Sequence, residues 1–391
     1  MAGTTLSTLD SILKTQYLPA VNEQFNNLSV ILSRLEKDYD SVVGKNFTMA
    51  LHTGRNESVA GRGEGGTLPV AGNQSYKNAI VPMKYLYGRL QITGQTIKAA
   101  QTNEGAFLKA VDSEMKGLMN DFRASVNRQL WGDGTGALTV CGTTSNSTTV
   151  VVASTRKLRV GMRIDVLVTA DGTTSTGATD RVVSSITDAT HFVISGAAIT
   201  TDNTFSVYVM GSRNYEIMGV EGIFSATSTL QGLDVATYPF WKANVLSNSG
   251  SARAISEVLM QTALDTTEQN SAGKTSAIYT SYGVRRAYQS LLAALKQYTN
   301  PLELKGGFTA LDYNGLPLIA DKDATPGKLF FADESQLKFY RMSDIEWMQE
   351  DGAVLSRVSG QDAYEGILYL YHELGTSMRN AMTVLSDITE A

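Results

Sequence analysis

Cysteine is all but missing: Cys141 is the one thiol in 391 residues. A single cysteine excludes an intrachain disulfide framework and any multi-cysteine metal site. Histidine is scarce as well. His52, His191 and His372 are scattered through strand-like stretches without Asp or Cys at ligand spacing, so each reads as a satisfied structural residue rather than a ligand. No apolar run approaches the roughly 20 residues of a membrane span. The opening MAGTTLSTLDSILKTQY lacks the basic start and long apolar core of a signal peptide, so the expectation is a protein made and kept in the cytosol, with no membrane partner. Charged residues are only 18% against 42% hydrophobic, which suits a large buried core in about two or three domains. The formal net charge of −5 does not fit a basic nucleic-acid binder.

What is abundant is helical periodicity in one stretch, 103–130. Phe107, Leu108, Val111, Met115, Leu118, Met119, Phe122, Val126 and Leu130 recur at steps of three and four, a single stripe along a helix. Asn103 stands at the N-cap, Asp112 precedes Lys116 by one turn, and Gly132, Gly134 and Gly136 supply the stop. Such a helix is roughly 40 Å long. It reads as a spine, with Trp131 as a core anchor at its end and Asn120 turned away from the stripe.

Other elements fall on either side. Residues 1–44 hold two short amphipathic stretches, one with Leu6, Leu9, Ile12, Leu13 and Tyr17, one with Phe25, Leu28, Ile31, Leu32, Leu35 and Tyr39. Both need a partner surface. Strands are expected over 47–53 and 79–87, separated by the Gly-rich GRNESVAGRGEGGTLPVAGNQSYK, which suggests a hairpin projecting from the body. An exposed arm of this kind makes sense if it lies on a neighbouring subunit. From 138 to 212 the chain is rich in Thr, Ser and Val, with strands expected at 149–152, 158–168, 181–186, 192–194 and 204–209. That pattern reads as a separately folded β-domain inserted into a host, its ends close together. Afterwards helices are expected around 255–264 and 284–298, with strands at 276–279, 315–320, 328–332, 366–375 and 383–385. Uneven interleaving of this kind indicates α+β.

Chemical motifs are weak. Gly61, Gly63 and Gly66 match the spacing of a dinucleotide fingerprint, but the adjoining TLPVAG at 67–72 cannot start the required helix, so a flexible loop tip is the better reading. Gly273-Lys274-Thr275 resembles the end of a phosphate loop, yet Glu268 stands where its first glycine belongs; a helix-to-strand turn is favoured. Asp321 with Asp323, or Glu350 with Asp351, are read either as acid/base pairs or as loop carboxylates in solvent. No catalytic, cofactor-binding or metal-ligating residue is therefore assigned. Arg55, Glu57, Arg62 and Glu64 give the hairpin tip both signs of charge, and with Lys77 they are candidates for inter-subunit contact, a solvated tip being the alternative.

The order of segments, with NDFRASVNRQLWGDGTG (120–136), NGLPLIAD (314–321) followed by KLFFAD (328–333), and MRNAMTVLSD (378–387), resembles the major capsid proteins of tailed double-stranded DNA bacteriophages, the Hong Kong-97-type fold. The resemblance implies an N-terminal arm (1–44), an extended E-loop (45–90), a P-domain with the spine helix (91–137), an inserted all-β domain (138–212), an A-domain (213–345, returning through the P-domain near its start) and C-terminal P-domain strands (346–391). It implies a structural subunit, not an enzyme, that assembles with itself into hexamers and pentamers of an icosahedral shell and encloses DNA without sequence-specific binding. Implied partners are a separate scaffolding protein, a portal and decoration proteins, and the implied location is the virion. A weakly acidic chain fits a container that does not grip packed DNA. An encapsulin-like compartment is the runner-up within the fold. A hydrolase or carbohydrate-binding protein with an accessory β-domain is the alternative from another class, and it requires a catalytic cluster that the sequence does not offer.

Overall fold

The computed structural model describes residues 30–39, 46–95, 104–174, 178–294, 302–303, 309–349 and 354–391. The amphipathic positions before residue 30, the Asn103 cap, the Asp112 side chain, Leu295, Tyr298, Glu350 and Asp351 lie outside the described residues.

The spine helix runs Glu104–Leu130. Phe122, Val126 and Leu130 are buried, and Leu118 and Met119 pack half-buried against the same core. The single stripe holds only part of the way. In the last turns Ala124, Asn127 and Gln129 are buried too, so the helix ends enclosed rather than lying on a surface. Asn120 is half-buried, not turned out to solvent. One cause of the enclosure is Gly219, where an added Cβ would stand 2.5 Å from the carbonyl oxygens of both Gln129 and Leu130; the chain passes closer to the helix end than a side chain permits. Beyond the helix, Gly134 and Gly136 take φ of 84° and 80°, the left-handed region open to glycine. Trp131 is fully buried, its ring 5.7 Å from Phe330 and 6.1 Å from Tyr279.

The helix lies on a six-stranded sheet organised around Ala363–Thr376. Lys84–Thr93 pairs with that strand over ten residues in antiparallel register, Tyr85 opposite Tyr371 and Gly88 opposite Leu368. Period-two alternation sends Leu86, Leu368 and Leu370 into the core and Tyr85, Tyr87, Tyr369 and Tyr371 to the other face. Gly88 has a packing reason, since a Cβ there would meet Phe122 Cδ2 at 3.1 Å and Leu118 Cδ1 at 3.3 Å.

A seven-stranded sheet forms the other half of the host, with Ala277–Thr280 and Leu329–Ala332 at its middle. Both strands are buried throughout, which is why they read as continuous apolar runs rather than as alternation. Ile278, Phe331 and Leu385 face helices Glu257–Asn270 and Tyr282–Ala294, whereas Tyr279, Phe330 and Val384 face the spine. Val258, expected on the apolar face of the first of these helices, is 75% exposed. Gly273–Thr275 falls between that helix and the strand, in the turn expected of it.

Between these host segments, strands Ala137–Val140, Phe205–Val209, Arg163–Val168, Arg181–Ile186, His191–Ile194 and Thr149–Val151 form a sheet in that order, and Thr144–Ser147 pairs with Ile199–Thr201. Their core, including Val150, Ile164, Val183, Phe192 and Val207, draws among the described residues on none outside this stretch. Cys141 is buried in it, its thiol pushed up to about 12 by desolvation. The strand expected over 158–168 starts only at Arg163. Residues 158–162 are irregular with a turn at Val160 and Gly161, where Met162 N–H bonds to the Arg159 carbonyl and Gly161 takes φ 86°. The turns share one device. In Asp133/Thr135, Asp171/Thr173, Asp188/Thr190 and Asp202/Thr204, one aspartate oxygen accepts from both the backbone N–H and the hydroxyl of the threonine two residues on, an Asx turn that substitutes for a backbone turn.

Candidate assembly surfaces

The projecting hairpin is Asn46–Gly54 paired with Ser75–Pro82. The single strand expected over 79–87 is two strands, because the chain breaks at Met83: one half belongs to the hairpin and the other to the body sheet. The root is held firmly. Leu51 and Ala79 join the host core, Val81 and Met83 pack on Tyr340, the Phe47 ring lies 4.8 Å from that of Tyr340, and Ile80 N–H donates to the Gln231 carbonyl at 2.8 Å.

The tip differs. Residues 55–74 form no strand, and Gly61, Gly63 and Gly66 lie in a loop closed by a Gly66 N–H to Gly63 carbonyl bond of 3.0 Å, with no helix after it. Arg55, Glu57, Arg62, Glu64 and Lys77 are all exposed, but they do not converge. Arg62 binds its own loop through the carbonyls of Thr67 and Gly61, and Lys77 Nζ lies 5.6 Å from the Tyr238 ring. Sequence patterning misses what is most unusual here: Val59 and Val70 are 90% exposed and Leu68 80%. The signal is present only as apolar residues in a Gly-rich segment without periodicity. Three large apolar side chains are thus left in solvent on one loop, with no core of their own to enter.

A second surface is the outer face of the body sheet. Tyr371 stands at ring distances of 5.0 Å from Tyr85, 6.1 Å from Tyr87 and 5.2 Å from Tyr369. Tyr85 and Tyr87 are more than half exposed. The Tyr87 hydroxyl is pushed up to about 12, chiefly by its hydrogen bond with Tyr371.

A third surface is the one on which the start of the described chain is latched. Glu36–Asp38 pairs in parallel with Leu337–Arg341, and Arg34 donates from two nitrogens to the Glu334 carboxylate, both at 2.6 Å. Tyr279 and Ser276 hydroxyls also donate to Glu334. Burial alone would raise this carboxyl, but the bonds from Arg34 and Tyr279 outweigh it and hold it below the usual range.

Buried charge elsewhere serves packing. Arg379 is fully buried, has no carboxylate partner among the described residues, and donates to the carbonyls of Gly222, Ile223, Ser228 and Trp241; burial brings it down to about 10. Asp321 is buried rather than a carboxylate in solvent, raised first by desolvation, and Asn127 donates to it and to Asp323. His372 is a structural residue as expected: it is fully buried, and desolvation lowers it to about 4 against a smaller opposing effect of the Leu370 backbone. His191 does have an acidic neighbour, Asp188 Oδ1 at 3.0 Å, on the exposed rim of the insertion. His52 pairs with Gln74 in the hairpin. Among the described residues no group of three or more His, Cys, Asp or Glu is arranged to hold a metal ion.

A spine helix on a strand-rich body, a strand at Glu36–Asp38 paired to that body, a long hairpin and a nested β-domain make up an α+β protein. No protein-family model matches the sequence, and no curated protein matches it. Solved structures do. The capsid asymmetric unit of cyanophage A-1(L) is 15% identical with a TM-score of 0.66, covering 99% of this chain and 100% of that one. The capsid of a native GTA particle is 8% identical with a TM-score of 0.51, covering 99% and 100%. The holo-SrpI encapsulin complex from Synechococcus elongatus is 9% identical with a TM-score of 0.51, covering 100% and 97%. The chain has the Hong Kong-97-type capsid fold.

Proposed function

We propose that the protein is a major capsid protein, the repeated subunit of an icosahedral shell around the double-stranded DNA of a tailed phage, and that its role is structural rather than enzymatic. The observation that carries this reading is a hairpin whose root is packed and whose tip presents Val59, Leu68 and Val70 to solvent, on a fold matched end to end by a phage capsid subunit. A monomer gains nothing from such a tip; a lattice covers it. In this reading residues 1–44 are the arm, 45–90 the E-loop, 91–137 and 346–391 the P-domain, 213–345 the A-domain and 138–212 an outward insertion. Arg55, Glu57, Arg62, Glu64 and Lys77 fix register at the rim of an apolar contact with another copy. A separate scaffold, a portal and decoration proteins complete the particle, and the subunit is made in the host cytoplasm. An encapsulin-like compartment shares the fold at the lower TM-score of 0.51 and is the second reading.

Electron microscopy of the purified protein tests this. Closed shells or capsomer rings are expected. Dispersed globules under all assembly conditions, including added scaffold from the same source, would overturn it. Shells that form around a protein cargo and never around DNA would favour the compartment.

A further inference from the structure

In the ladder of the body sheet Tyr87 stands opposite Tyr369 and reaches diagonally to Tyr371, with 6.1 Å between ring centroids and 3.5 Å between the hydroxyl oxygens. Diagonal neighbours on one sheet face are within reach of long aromatic side chains. Tyr87 is more than half exposed and Tyr371 half-buried. Tyr85 stands directly opposite Tyr371, at a ring distance of 5.0 Å, but it is the Tyr87 hydroxyl that meets the hydroxyl of Tyr371. Other close tyrosines are arranged differently. Tyr369 turns its hydroxyl to Glu346 Oε2 at 3.4 Å. Tyr288 and Tyr313 lie 6.2 Å apart, yet Tyr288 is buried and each hydroxyl donates to a backbone carbonyl, of Asp312 and Glu257 respectively. Among the described residues, Tyr87 and Tyr371 are the pair in which phenol meets phenol.

That arrangement suits one reaction. Loss of an electron and a proton from each phenol leaves two phenoxyl radicals, whose unpaired spin is shared between the oxygen and the ring carbons beside it. Hydroxyls held side by side bring those carbons together. We propose that Tyr87 and Tyr371 are the site of an oxidative dityrosine cross-link within one subunit, made by a peroxide-driven one-electron oxidant. A carbon–carbon bond forms between the ring carbons next to the two hydroxyls. The hydrogen on each of those carbons then shifts to its own oxygen, which restores both phenols. The two electrons and two protons removed at the start convert one hydrogen peroxide to two waters. Lys84–Thr93 continues from the hairpin across Met83, and Tyr371 lies on the central strand of the body sheet. The bond therefore fixes the base of the hairpin to the body, joining positions 284 apart in sequence. The inference stands apart from the shell reading, because its test is made on the dissociated full-length subunit.

Dilute subunit is treated with a haem peroxidase and hydrogen peroxide, separated on a denaturing gel and digested with trypsin. Blue dityrosine fluorescence is expected in the monomer band. The peptide spanning 85–89 should appear joined to the one carrying Tyr371, two hydrogens lighter than their sum, with fragmentation placing the link at Tyr87. Met342, 44% exposed and bonded through its N–H to the Tyr371 carbonyl, competes for oxidant but gains an oxygen instead, a separable mass. Tyr87→Phe and Tyr371→Phe each remove only a hydroxyl and should lose the link, whereas Tyr85→Phe and Tyr313→Phe should keep it. The linked monomer should also melt at a higher temperature than oxidised Tyr87→Phe, because closing so long a loop restricts the unfolded chain. Dityrosine confined to dimers, a link that persists through Tyr85 in Tyr87→Phe, or equal melting of the linked and unlinked proteins overturns the proposal.

Discussion

The backbone N–H of Asn214 donates to the carbonyl of Thr135 at 2.8 Å, so the chain leaves the host and re-enters it at one point. Everything between has its own core. The joint is braced by Arg156, whose guanidinium donates to the Ala324 carbonyl at 2.6 Å, and by Arg128 with Glu216 beside it. Replacing Ala137–Ser212 with a short Gly/Ser linker should therefore leave the host folded, since closing a loop across neighbouring ends costs little. Circular dichroism and gel filtration should report a compact α+β host and, for the excised segment, a cooperative β-type melt. An aggregated linker variant together with an unstructured segment would place these strands in the host core instead.

The spine is the element least able to absorb a charge. Phe122→Asp puts a carboxylate at a position 4% exposed, on the helix face that covers Gly88, where an added Cβ would meet the Phe122 ring at 3.1 Å, at a penalty of roughly several kcal/mol. Soluble expression should be lost. Asp121 and Arg123 are exposed, and Asp121→Asn or Arg123→Gln should express normally. Asn120 is a poor control because it is half-buried and has a partner of its own. Equal yields from all three variants would show the helix face to be misassigned.

Gly219→Ala should destabilise by about 1–3 kcal/mol, the usual penalty of overpacking, because both atoms its Cβ would meet are backbone carbonyls that cannot rotate away. At the hairpin tip Gly61 has nothing within 4 Å of an added Cβ, so Gly61→Ala should be neutral or slightly stabilising. Denaturant midpoints compare the two directly. A Gly219→Ala midpoint equal to that of the unaltered protein would mean that the loop over the helix end has slack.

The Asx turns make the insertion sensitive to acid. Asp188 is held down to about 2, chiefly by the Thr190 N–H and then by His191, and Asp171 and Asp202 are lowered through Thr173 and Thr204. Each folded value lies below the 3.8 of an ordinary aspartate. The unfolded segment therefore binds more protons over that interval, and the contribution is present above about pH 4 and lost as pH falls toward 2. Chemical unfolding of the excised segment should show this slope, and Asp188→Asn, which still accepts hydrogen bonds but does not titrate, should make it shallower. An unchanged slope in that variant would assign acid sensitivity elsewhere.

How much of this was legible in the sequence depended on whether a pattern was local. The spine was, because nine apolar residues at helical spacing leave little alternative; its helix begins at Glu104. Thr383–Leu385 and Leu329–Ala332 were legible as continuous apolar runs. Glu36–Asp38 was not, since a strand that owes its existence to a partner roughly 300 residues away in sequence carries no local signature, and neither was Leu337–Arg341, which is fixed by its pairing with Ala363–Thr376. The break at Met83 was hidden for a similar reason: the apolar run continues while its pairing partner changes. The assembly surface was half legible. The charges on the tip stand out because charged loops are easily imagined as contacts, whereas Val59, Leu68 and Val70 stand out only once they are seen to have no core to enter.

Those three residues give the sharpest test of assembly. Replacing Val59, Leu68 and Val70 together with serine removes the large exposed apolar side chains of the tip and touches nothing in the described core. Stability of the isolated subunit should change by less than about 0.5 kcal/mol per site, as for ordinary surface positions, and solubility should rise. Shell formation should fail or give fragments, because an apolar contact at the centre of an interface contributes more than the charges at its rim. Neutralising Arg55, Glu57, Arg62 and Glu64 should instead leave shells that form with altered salt dependence. The comparison is made by sedimentation and electron microscopy on matched preparations. Intact shells from the serine variant, with failure confined to the charge variant, would reverse the ranking and make the ion pairs the principal contact.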